Sequence, residues 1–109
     1  MNTTLAQGET LIKQGGVNIL RGIEAVGGHL YLTNKRLIFE SHAFNIQKGT
    51  TEINLSEIAS LNKAWTKFLG AIPLFPNSIV VTTSAGNEYS FTLWGRESWI
   101  SAIEKAKKG

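Results

Sequence analysis

The stretch Gly28-His29-Leu30-Tyr31-Leu32-Thr33-Asn34-Lys35-Arg36-Leu37-Ile38-Phe39-Glu40-Ser41 constrains the fold more than any other part of the chain. Two short runs alternate apolar with polar residues on either side of Asn34-Lys35. Leu30 and Leu32 are set to face one way and His29, Tyr31 and Thr33 the other. Past the turn, Leu37 and Phe39 oppose Arg36 and Glu40. A period of two belongs to strands with one buried face, and a two-residue connection fits a hairpin. Asn34 tolerates positive φ but Lys35 is less apt than Gly, so the pattern leaves the turn type open. The segment requires antiparallel β structure and carries no catalytic chemistry.

A chain of 109 residues suits one domain. At that size roughly two-thirds of the unfolded surface is buried on folding, enough for a core without staples. There is no cysteine, which removes disulfides, thiolate metal sites and cysteine nucleophiles. Eight glutamates and no aspartate make up the acidic side, which lowers the odds of Mg²⁺ or Ca²⁺ chemistry. No metal and no cofactor is expected. The net charge of +3 is mild and sits partly in Lys105, Lys107 and Lys108. A nucleic-acid binder would show a denser basic face, so nucleic acid is not the expected partner. No apolar run approaches the roughly 20 residues of a membrane span. Met1-Asn2-Thr3-Thr4 lacks a basic start and apolar stretch. The expected location is the cytoplasm, with peripheral attachment to a membrane.

Along the chain, residues 1–8 read as a flexible lead-in and residues 9–109 as a single domain. Residues 9–14 read as a strand or a helical turn that Gly15-Gly16 breaks, and residues 17–23 as a strand. Residues 24–28 read as a loop, and residues 42–49 as a polar connection around Phe44 and Ile46. Ile53 and Leu55 point inward from a strand at 51–55, and residues 58–65 form a further strand. Residues 78–83 are rich in β-branched side chains, which favour a pleated surface. In residues 88–93, Tyr89, Phe91 and Leu93 share a face. After Gly95 the period changes: Trp99, Ile100, Ala102, Ile103 and Ala106 make one apolar stripe on a helix over residues 96–107. Glu97 near its start and Lys105, Lys107 and Lys108 near its end complement the helix dipole. Six or seven strands and a terminal amphipathic helix predict a bent sheet or open barrel with Trp99 as the plug of one end.

With these words in this order, the chain resembles the GRAM domain, a member of the pleckstrin-homology-like superfamily. Residues 28–39 are similar to the family's G-x-L-Y-L-T-N-x-R-L-I-F. Ile53-Asn54-Leu55-Ser56-Glu57-Ile58 resembles its I-P-L-x-x-I, and Gly86-Asn87-Glu88-Tyr89-Ser90-Phe91 its G-x-x-Y-x-F. Arg96-Glu97-Ser98-Trp99-Ile100 resembles the start of its closing helix. The resemblance covers residues 9–107. It implies a seven-stranded antiparallel barrel or sandwich capped by an α-helix, serving as a binding module for lipid head groups or protein segments. Pleckstrin-homology domains that bind phosphoinositides carry cations in the loop joining their first two strands. The loop expected here, residues 23–27, has no cation and holds Glu24, and a carboxylate there repels phosphate.

The segment from Trp65 to Pro76 reads as an inter-strand loop, yet it is dense in large apolar residues and sits beside Lys63 and Lys67. Loops lie on the surface. An apolar loop flanked by cations fits a membrane-surface finger or a partner anchor; alternatively, Phe68, Ile72 and Leu74 fold back as a flap over the barrel. His29 and His42 have no carboxylate at a recognisable spacing and read as surface or cross-strand residues. The glycine pairs match no phosphate-cradling pattern and read as turns. Trp94 breaks the inward set and is either packed under the helix start or at an interface. The function expected is a non-enzymatic binding or adaptor domain. Lys63, Trp65, Lys67, Phe68 and Leu69, with Lys35 and Arg36 at the hairpin tip, are the candidates for contact with an anionic lipid surface. A protein-interaction or self-association module is the alternative.

Overall fold

The hairpin at residues 28–41 is the centre of one half of the molecule. In the computed structural model, which describes residues 1–21, 24–42, 50–68 and 72–109, it is formed by β2 (Glu24–Thr33) and β3 (Arg36–Ser41). The register sets Leu30 opposite Phe39 and Leu32 opposite Leu37. The two-residue turn is held by Thr33, whose Oγ1 accepts the N–H groups of Lys35 at 3.1 Å and Arg36 at 3.0 Å. β1 (Leu11–Arg21) pairs with β2 along its whole length, and β4 (Thr50–Asn54) adds to β3. A 3₁₀ turn (Leu55–Glu57) then leads into β5 (Ile58–Phe68), followed by β6 (Ile72–Thr83), β7 (Glu88–Thr92) and α1 (Arg96–Lys108).

Seven antiparallel strands form one sheet in the order β4-β3-β2-β1-β7-β6-β5. The helix-capped, mainly β architecture expected from the sequence is present, but the sheet is not closed into a barrel, with β4 and β5 as its outermost strands. β1 joins the two halves and pairs with β7 from Asn18 to Leu20. The halves face each other across a single core. Leu30, Leu32, Leu37, Phe39 and Ile53 come from one side, and Ile58, Ile79, Val81 and Phe91 from the other. The Phe39 and Phe91 rings meet at 6.1 Å between centroids. Trp99 and Ile103 of α1 are buried against this cluster, as the stripe on the helix requires.

Three expectations are corrected. Gly15-Gly16 does not break the chain, because β1 continues through it opposite Leu30 and His29. Residues 24–28 are strand, not loop. Gly28 is needed there, since a Cβ on it would collide with the Glu40 carbonyl oxygen and lie 2.5 Å from the Phe39 ring. Of the loop expected at residues 23–27, only residue 23 is outside β2, and it lies outside the described residues together with residue 22. Third, residues 65–68 and 72–76 belong to β5 and β6 rather than to a loop. The connection around Phe44 and Ile46 lies outside the described residues.

The hairpin also departs from a one-sided strand pair. Tyr31, Thr33, Ile38 and Glu40 point away from the core and are nonetheless buried. Residues 2–10 run along that second face and hold it with hydrogen bonds. Glu40 accepts the N–H groups of Asn2 and Thr3 and the Thr3 hydroxyl, and Asn34 binds the backbone of Gly8 and Thr10.

Candidate functional site

The candidates fall into two separate places. Lys35 and Arg36 sit at the β2–β3 tip, beside the 3₁₀ turn that leads into β5, where the Lys35 carbonyl accepts the Leu55 N–H at 3.0 Å. Trp65, Lys67 and Phe68 occupy the other end of β5. Phe68 is ten positions past Ile58, up to about 30 Å of extended strand away. Leu69 lies outside the described residues.

Lys35 is exposed. Arg36 is committed to the fold. Its Nε donates to Glu9 at 2.8 Å and its Nη2 to Glu9 at 3.0 Å and to the Thr4 carbonyl at 3.0 Å, while Nη1 pairs with Glu52. Glu9 is buried and also accepts the Thr33 hydroxyl at 2.6 Å. The Arg36 hydrogen bonds, helped by Thr33 and the Ala6 N–H, overcome burial and hold the Glu9 carboxyl at about 2. Both carboxylates raise the Arg36 guanidinium further above its ordinary value, the Glu9 hydrogen bond most. His29 takes the cross-strand role, with Nε2 3.2 Å from the Gln14 amide oxygen and its ring 4.8 Å from Tyr31.

The second place is built by strand lengths. Asn18 of β1, Thr92 of β7, Ser78 of β6 and Ala64 of β5 lie in one row across the sheet. β7 ends there. β5 and β6 continue past it as a two-stranded arm, pairing Thr66 with Phe75, Lys67 with Pro73 and Phe68 with Ile72. Pro73 and Pro76 withhold backbone donors along the arm, which suits strands that have lost a neighbour.

The chain leaving β7 crosses the root of this arm. Leu93 is buried, and the next residue, Trp94, is 83% exposed. Gly95 turns in the left-handed region at φ 72°, a conformation that favours glycine, and its carbonyl accepts the Trp99 N–H at 3.0 Å to open α1. The first turn of α1 is then tied down on both sides. Arg96 Nη1 donates to the Ala64 carbonyl at 3.0 Å, and Lys63 pairs with Glu97. From β1, Lys13 Nζ donates to Ser98 Oγ at 3.1 Å and stands 5.2 Å from the centre of the Trp99 ring. Lys13 and Lys63 thus bind the first turn of α1, which also carries Arg96 and Glu97 and begins two residues after the exposed Trp94.

The sequence pattern points to Lys63, leaves Trp94 open and gives no sign of Lys13 or Arg96. The signal for Trp94 was the alternation itself: Tyr89, Phe91 and Leu93 face inward, so Trp94 faces out. Lys13 and Arg96 join only through the pairing of distant strands.

A family model for the GRAM domain matches residues 1–106. The chain belongs to the GRAM-domain family. Among solved structures, this GRAM domain is similar to the C-terminal domain of an unknown protein from Leishmania infantum. The TM-score is 0.77 at 23% identity, over 94% of this chain and 88% of that one. It is also similar to the Vps36 N-terminal PH domain, with a TM-score of 0.68 at 20% identity over 96% and 83% of the two chains. The Slm1 PH domain, solved in complex with phosphoserine, gives a TM-score of 0.58 at 19% identity over 88% and 91%. These likenesses establish a PH-like fold. No curated protein sequence matches the chain. Among the described residues, no helix is long and apolar enough to cross a membrane.

Proposed function

We propose that this GRAM domain is a non-enzymatic binding module that attaches to an anionic membrane surface through the end of the β5–β6 arm. One observation carries the reading: β5 and β6 project past the last residue of β7, and the chain leaving β7 carries an exposed tryptophan into a helix turn bound by Lys13 and Lys63. Lys63, Trp65, Lys67, Phe68 and Leu69 form the contact, the apolar residues supplying buried area and the lysines attraction of about 1 kcal/mol each near an anionic bilayer. Lys35 is a secondary point of contact on the other half of the sheet. Arg36 adds no net positive potential, because Glu9 and Glu52 together outweigh its charge. GRAM and PH-like domains often bind lipids or proteins, and the Slm1 relative holds a phosphorylated ligand.

Liposome sedimentation tests the reading. The wild-type chain is expected to pellet with vesicles containing anionic lipid and to lose that behaviour in the Phe68→Asp, Lys67→Glu double variant. Unchanged sedimentation of the double variant rejects it. A second reading has its own support: β5 is a long outermost strand, to which a partner or second copy can add by backbone pairing. A particle mass that rises with protein concentration in light scattering favours that alternative.

A further inference from the structure

Trp94 stands out among the large apolar side chains of the fold because its exposure is imposed. Leu93 occupies the adjacent core position, and the left-handed Gly95 turns the chain into α1, so Trp94 has no route inward without unpacking Leu93. The mount is firm on both sides, through Thr92 paired with Asn18 and Ser78 and through Arg96 bound to the Ala64 carbonyl. A firmly held backbone there adds little ordering cost on contact, and an indole side chain has only two rotatable bonds to fix. An indole with an apolar body and one N–H donor is matched to the head-group level of a bilayer.

The direction of presentation coincides with the arm. On one side of the Asn18, Thr92, Ser78, Ala64 row lie Lys13 at the start of β1, Trp94 beyond β7, and the outer residues of β5 and β6. A flat surface lying along the arm from its end to its root therefore meets Trp94 and the first turn of α1 with its bound cations. Those cations are not convergent. Lys13 is on Ser98, Arg96 on the Ala64 carbonyl and Lys63 on Glu97. Each is drawn to a different protein acceptor, so, with N–H groups to spare, they build a positive field without converging on one phosphate.

Resting on the membrane reading above, we infer that Trp94 is a bilayer-inserting anchor of this domain. We further infer that the surface around it responds to membrane charge density rather than to head-group stereochemistry. Because the chain has no cysteine, Trp94→Cys gives a unique attachment point for a nitroxide, and Ser84→Cys, in the turn between β6 and β7, gives a control. Vesicles of phosphatidylcholine mixed with phosphatidylglycerol or with phosphatidylserine, at equal mole fraction of negative charge, are the probes. The label at position 94 is expected to be shielded from an aqueous relaxation agent and reached by oxygen, and the label at 84 to remain in water. The two anionic lipids are expected to bind the unlabelled chain within about twofold of each other. Unlabelled Trp94→Ala, a surface change with no packing role, is expected to weaken partitioning about tenfold.

Vesicle binding with position 94 still in water overturns the anchor while leaving the membrane reading standing. A strong preference for one head group at fixed charge overturns the charge-density part. Failure to bind any vesicle removes both the membrane reading and the anchor. Concentration-dependent dimers that Trp94→Ala abolishes assign the residue to a protein contact instead and overturn the proposal.

Discussion

Gly28 is the residue on which the two-stranded centre turns. It pairs with Val17 on one side and Ser41 on the other, and its missing side chain is the space into which the Phe39 ring fits. Phe39 is 1% exposed and packs on Phe91, so it cannot give way, and the Glu40 carbonyl is fixed by the strand pairing. Gly28→Ala is therefore expected to cost about 3 kcal/mol or more, seen as a lower midpoint in urea. Gly16→Ala is the control: nothing lies within 4 Å of its added Cβ, and the expected change is within about 0.5 kcal/mol. The glycine pairs had read as turns because local composition is all that a neighbouring-residue pattern contains. The reason for Gly28 is a phenyl ring supplied eleven positions later from a different strand, which no local pattern carries.

Among the elements, the N-terminal segment and α1 close the two surfaces that the sheet leaves open. The segment is fastened by Glu9 and Glu40. Burial alone would raise the Glu40 carboxyl, but the hydrogen bonds from Asn2 and Thr3 outweigh it and leave it below its usual range. Glu9 lies at about 2 against 4.5 in the unfolded chain. A lowered folded value means that protons bind the unfolded state more readily. The stabilisation is thus complete above about 4.5 and drains away as the pH falls towards 2. For Glu9 it amounts to about 3 kcal/mol. Thermal melts at stepped pH are expected to show a fall through that window for the wild type and a flatter profile for Glu9→Gln. The variant also melts lower at pH 7, because Arg36 loses its main partner. At the other opening, Trp99→Ala is expected to cost about 3–5 kcal/mol in the same melts, since the ring is buried in the core. The helix and the hairpin strands were legible in the sequence because each depends on its own period. β1 runs further than its local pattern indicates because β2 pairs with it through Gly15-Gly16, and the β5–β6 arm does so because its two strands pair with each other as a hairpin despite Pro73 and Pro76. Tyr31 and Thr33 face opposite to Leu30 and Leu32 in the alternation, yet they are buried. For Thr33 the cover is Glu9, twenty-four positions earlier, which accepts its hydroxyl.

At the scale of the whole molecule, the distribution of charge separates oriented attachment from adhesion by net charge. The excess of +3 is small, and Lys105, Lys107 and Lys108 lie in the last turn of α1, opposite the end that Arg96 and Glu97 fix to β5. α1 has 13 residues, so its two ends are about 20 Å apart, twice the screening length at 0.1 M salt. A membrane that meets the arm and Trp94 therefore feels Lys63 and Lys13 strongly and the helix C-terminus weakly. Lys63→Glu is expected to reduce partitioning onto anionic vesicles about fivefold or more, and Lys107→Glu less than twofold, although the two substitutions change the net charge equally. The pairing of Lys63 with Glu97 does not cancel this contrast, because both groups are largely exposed and an exposed pair stays solvated. Raising the salt from about 0.1 to 0.5 M is expected to narrow the gap between the two variants as the Debye length contracts. Equal losses for the two variants at low salt mean that the molecule adheres in no preferred orientation, and the arm then loses its claim to face the bilayer.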